Sequence, residues 1–161
     1  MYEAGCRDYI TRRDSVMMII TNNTTAMNSR SRKTKVVVAT IDQKIEDIFA
    51  KEFEGDRIDI KFLRKASDVL LMILEEDIDL LIVDLELSGI SGIDLIPIIR
   101  KSRPRLPLIV ISNDFTYQVR KMVAQEGVTY QIFKPVNTRE LAEVLETTQN
   151  ILEGQVKAGL S

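Results

Sequence analysis

The chain has 161 residues, 45% hydrophobic and 29% charged, with a net charge of −2. That is enough for one domain with a packed core, excludes global disorder and gives no bulk case for nucleic-acid binding. With no histidine and a single cysteine, Cys6, histidine-dependent catalysis, an internal disulfide and Cys/His metal motifs are also excluded.

Residues 1–34 differ from the rest. Residues 1–35 carry seven Lys/Arg against three Asp/Glu, and the remainder fifteen against twenty-one. The stretch TNNTTAMNSRSRKTK has no apolar period, which predicts a flexible N-terminal arm or linker over 1–34. Met27 would also serve as a start. RSRKTK reads as a solvated basic run before a nucleic-acid contact. SVMMII is shorter than a secretory core, and VLLMIL and LPLIVI fall far below the ~20 residues of a membrane span. A reduced, cytoplasmic setting is the expectation.

From Lys35 the chain alternates. KVVVAT is a β-branched run suited to a strand buried on both faces. Ile45, Ile48, Phe49 and Phe53 recur at helical spacing, with Gly55 as the stop. IDIKFL predicts a more exposed strand. ASDVLLMILEED predicts a helix with Val69, Leu70, Ile73 and Leu74 on its buried side. DLLIVD is the third strand and DLIPIIRKS the third helix, where Pro97 is accommodated if it stands in the first turn. LPLIVIS, DFTYQVRKMVAQEG (Asp114 as cap, Gly127 as stop) and TYQIF are the next strand, helix and strand. A long helix from about Asn137 follows, with a stripe of Leu141, Val144, Leu145, Ile151 and Leu152. The domain is expected over 35–153, with a C-terminal tail over 154–161.

Five strands alternating with five helices predict a parallel sheet with helices on both faces. Functional groups in such sheets gather beyond the carboxyl ends of the strands. Four polar residues stand at such ends: Thr40, Asp84, Ser112 and Lys134. A carboxylate can accept a phosphoryl group as an acyl phosphate. The incoming oxygens then need a lysine, a hydroxyl and usually Mg²⁺ to neutralise them.

In LLIVDLELSGISGIDL, PLIVIS and AQEGVTYQIFKP, taken together, the chain resembles the receiver domains of two-component response regulators. The resemblance covers about residues 35–152. It implies a flavodoxin-like sheet of order 2-1-3-4-5, Asp84 as phosphoacceptor, Ser112 as switch hydroxyl, Lys134 as the phosphate-contacting lysine and a cis Lys134–Pro135 bond. It also implies a histidine kinase or phosphotransfer protein as donor, and signalling without turnover of an external substrate. Only about ten residues follow the last helix, so output is expected through a separate protein, through a homodimer of the last two helices and the fifth strand, or through the N-terminal arm.

Departures from the family pattern are equally specific. Its members usually hold Mg²⁺ with two acids after the first strand, where this chain has Thr40 and Ile41. Asp42 is a displaced ligand or a helix cap, and Glu86 a lent carboxylate or a solvated residue. Ser88 replaces a proline, and Gln131 the aromatic three residues before the lysine, with Tyr130 on the opposite face. Asp84 could instead pair statically with Lys134, and Ser112 could satisfy only its strand end. The alternatives are therefore a receiver-like module independent of phosphate, or a nucleotide- or flavin-binding domain. The latter lacks a Gly-rich phosphate loop, since Gly89 and Gly92 read as turn residues.

Overall fold

The run TKVVVA places three valines and an alanine in the middle of the sheet, where branched side chains pack on both faces. The computed structural model describes residues 32–53, 55, 57–113 and 116–157. The chain divides into two units between Lys33 and Thr34, the second being an α/β unit. Except for residues 32–34, the expected arm lies outside the described residues, as do Asp114 and positions 158–161 of the expected tail.

Strands and helices alternate as β1 (Thr34–Ala39), α1 (Gln43–Glu52), β2 (Ile58–Leu63), α2 (Ala66–Glu75), β3 (Leu80–Asp84), α3 (Gly92–Ser102), β4 (Leu108–Ser112), α4 (Tyr117–Gln125), β5 (Tyr130–Phe133) and α5 (Thr138–Lys157). All pairings are parallel, in the order β2-β1-β3-β4-β5. The expected 2-1-3-4-5 sheet is the observed one. β3 and β4 are buried at every position, which is why they read as unbroken aliphatic runs.

Strand alternation divides the core in two. Val37, Leu81, Val83, Leu108 and Val110 face α2, α3 and α4. Val36, Val38, Leu80, Ile82, Ile109, Ile111 and Ile132 face α1 and α5. Ile45 and Phe49 of α1 and Leu141, Val144 and Leu145 of α5 complete the second layer. No helix among the described residues is long and apolar enough to cross a membrane.

Three local expectations are corrected. The buried side of α2 is Ala66, Val69, Met72 and Ile73, whereas Leu74 is 68% exposed. The helix is turned so that the linear thioether of Met72, not Leu74, meets the core. In α3 the helix starts at Gly92, so Pro97 lies inside it, past the first turn. Its missing N–H leaves the Ile93 carbonyl without an i+4 donor. In α5, Ile151 is exposed.

Candidate functional site

Parallel strands bring their carboxyl ends to one rim. The Ala39↔Val83 register sets Thr40 level with Asp84, and Ser112↔Phe133 sets Lys134 just beyond Ser112. Thr40, Asp84 and Ser112 are all buried, and the peptide Lys134–Pro135 is cis. Lys134 donates its backbone N–H to the Ser112 carbonyl at 3.0 Å.

Asp84 collects three donors. Its Oδ2 accepts from Thr40 Oγ1 at 2.8 Å and lies 2.9 Å from Lys134 Nζ. Its Oδ1 accepts from the Glu86 backbone N–H at 3.0 Å. A fully buried carboxylate is tolerated only when paired and hydrogen-bonded in this way. The Thr40 oxygen in turn accepts from the Asp42 N–H at 3.0 Å, so one hydroxyl fixes both the acid and the entry to α1.

Lys134 Nζ stands among three carboxylates, with Glu86 Oε2 at 3.6 Å and Asp42 Oδ2 at 3.9 Å. Burial pulls its pKa down, but the hydrogen bond to Asp84 and the charges of Asp84, Glu86 and Asp42 outweigh that, and the ammonium titrates above the ordinary lysine value. Asp42 is the N-cap of α1, its Oδ1 accepting from the Lys44 N–H at 2.9 Å. An aspartate there also suits the positive end of the helix.

These residues do not fit a magnesium ion as arranged. Among the described residues no three Asp, Glu or Cys side chains group so as to hold a metal. Asp84 Oδ2 is already met by a hydroxyl and an ammonium, and one Asp42 oxygen is committed to a helix end. The ammonium supplies the positive charge that the carboxylates require.

The loop that follows Asp84 is shaped by two glycines. Gly89 has φ of 99°, a backbone state that suits glycine. At Gly92 a Cβ would lie 2.6 Å from the Leu85 Cα, so α3 can approach the residue after Asp84 only without a side chain. On the other side the loop is tied to α2: Ser88 pairs with Lys65, and its carbonyl accepts from the Ala66 N–H at 3.2 Å.

Sequence reasoning missed two features. Arg100 donates from Nε to the Glu126 carbonyl at 2.7 Å, from Nη1 to Leu106 at 2.7 Å and from Nη2 to Gly127 at 2.9 Å, joining α3 to two loops. Burial lowers its pKa against the opposing pull of Glu126. Gln131 shares the α4 side of the sheet with its partner Val110, and its buried Nε2 has no hydrogen-bond partner among the described residues. Nothing in a basic helix end or a lone strand glutamine announces either feature.

An acid, a hydroxyl and a lysine at the ends of β3, β4 and β5 define a receiver-type rim, and comparison with known proteins agrees. Residues 36–146 match the response regulator receiver domain family; the chain belongs to that family. It is 29% identical over 115 residues to the DNA-binding transcriptional regulator NtrC of Azospirillum brasilense, covering 71% of this chain and 24% of that protein. To the sensory/regulatory protein RpfC of Xanthomonas campestris pv. campestris it is 26% identical over 121 residues, covering 73% and 17%. The chain thus spans about a quarter or less of these relatives' length. Among solved structures, a CheY-like receiver domain protein from Methanospirillum hungatei JF-1 superposes with a TM-score of 0.67 at 26% identity, over 80% of this chain and all of that one. The signal receiver domain of a Luxo repressor protein from Vibrio parahaemolyticus gives 0.72 at 16% identity, over 81% and 100%, and shows the fold alone.

Proposed function

We propose that this receiver is a cytoplasmic protein–protein interaction module whose acid site is held by its own side chains, independently of phosphate. The observation that carries this reading is the triple engagement of the buried Asp84 by Thr40, Lys134 and the Glu86 N–H. Thr40 and Ile41 stand where a receiver's metal-binding acids would be, which removes much of the charge stabilisation that acyl transfer to aspartate requires. The contact surface is that of α4, β5 and α5, where Tyr117, Tyr130, Phe133 and Ile151 are exposed. Large apolar side chains gathered on adjoining elements suit a second copy of the chain or a separate output protein.

A second reading is supported by the presence of Asp84, Ser112 and Lys134 at three neighbouring strand ends. In it an Asp84 oxygen attacks the phosphorus of a phosphohistidine on a kinase or phosphotransfer protein, the N–P bond breaks, and the imidazole leaves with the electron pair and takes a proton. On either reading the domain turns over no external substrate. Intact-mass measurement after incubation with acetyl phosphate separates the two. The first reading expects no phosphoryl adduct; an adduct that disappears in Asp84→Asn establishes the second.

A further inference from the structure

The outward side of α2 carries apolar surface that neither the acid rim nor the α4–β5–α5 surface uses. Leu71 is 54% exposed and Leu74 68%, one turn apart, and Leu70 beside them is half-buried. At helical spacing they form a short ridge. A single exposed leucine is ordinary, but a contiguous ridge bordered by charge is a contact feature. The border is acidic. The charged residues within α2 are Asp68 and Glu75, both exposed, and Glu76 and Asp77 follow directly.

The last turn of α2 contains no basic residue, so acids stand where the helix end is itself negative, against the local electrostatic preference. Lys35 and Lys61 reach Glu76 at 3.9 and 3.5 Å, and Arg103 lies 3.8 Å from Asp77. Neither Asp68 nor Glu75 has a basic partner among the described ion pairs.

We propose that this face docks a basic amphipathic helix of a partner protein, its apolar side on Leu71 and Leu74 and its cations beside Asp68 and Glu75. A second copy is the wrong occupant, because α2 packed on α2 would set acid against acid around two leucines per protomer. Such a docking helix also has a route to the acid rim. The first residue of α2, Ala66, hydrogen-bonds Ser88 in the loop that follows Asp84, so α2 is tied to the acid-site loop. The inference does not depend on whether Asp84 is phosphorylated.

The test uses the full chain, ¹⁵N-labelled, titrated with a synthetic peptide that has leucines at helical spacing and lysines elsewhere. Shifts centred on residues 67–77 are expected, together with affinity that falls as salt rises. Leu71→Gln/Leu74→Gln and Asp68→Asn/Glu75→Gln should each weaken binding by about tenfold or more, with unchanged circular dichroism. An analogue with glutamates in place of the lysines should not bind. Shifts centred on α4, β5 and α5, equal affinity in the variants, or binding of the acidic analogue would overturn the proposal. So would a dimer, in the absence of peptide, that the leucine variants dissolve.

Discussion

Thr40 ties the acid rim to the start of α1. Its hydroxyl donates to the carboxylate and accepts from the Asp42 N–H, so Thr40→Val removes two hydrogen bonds at a buried position. A loss of about 2 kcal/mol is expected, read as a lower urea midpoint with unchanged slope. Lys134→Met leaves Asp84 buried without its cation and should cost about 3 kcal/mol. The raised Lys134 pKa adds a pH signature. Its contribution is complete below the unfolded lysine value of about 10.4 and is lost as pH rises through the higher folded value. Wild type should therefore lose stability on that alkaline side with a slope that Lys134→Met lacks. Gln131→Leu should go the other way, raising stability by about 1 kcal/mol, because it deletes a buried donor without a partner.

The chain's residue types announced which side chains meet at this rim but not how they are wired. Asp84 and Lys134 are legible because a charged residue closing an aliphatic strand has few other uses. The contacts of Thr40 depend on the register of β1 against β3, a tertiary fact that a threonine after a strand does not signal. Asp42 shows the same limit: capping and metal ligation call for one residue type at one position, and the cap itself is visible only in the Lys44 N–H distance.

At the scale of elements, α3 is held by a contact that lies outside its own pattern. The Arg100 guanidinium serves carbonyls of the α3–β4 and α4–β5 connections. Arg100→Ala should cost about 2 kcal/mol, since the part-buried carbonyls of Glu126 and Leu106 lose a charged donor. Arg100→Lys should recover little of it, because a single ammonium cannot reproduce the planar fork; thermal unfolding of the two variants checks both. Strand assignments read well from sequence because β3 and β4 are buried on both faces. Helix faces read less well: in α2 six apolar residues in succession, VLLMIL, leave the phase of the helix open, and packing chose Met72 over Leu74. The α4 cap is a similar case. The side chain of Thr116 accepts from the Val119 N–H and begins the helix at Tyr117, whereas a cap at Asp114 would start it earlier.

For the molecule as a whole, the five-stranded sheet assembles an acid site at one rim. Among the described residues, exposed apolar side chains include those shared by α4, β5 and α5 and those on the outer side of α2. On the proposed reading, in which the acid is satisfied internally, these surfaces should work in one state of the site. Self-association, where present, should then be the same with and without a phosphoryl donor, which sedimentation velocity on wild type and Phe133→Ser would check. The most direct measurement is a ¹H–¹⁵N spectrum titrated with Mg²⁺ and then beryllofluoride, repeated on Asp84→Asn. The account predicts a spectrum unchanged at millimolar Mg²⁺ and after beryllofluoride. Shifts centred on Asp84, Ser112 and Lys134 that vanish in Asp84→Asn would contradict it and make Asp84 a working phosphoacceptor.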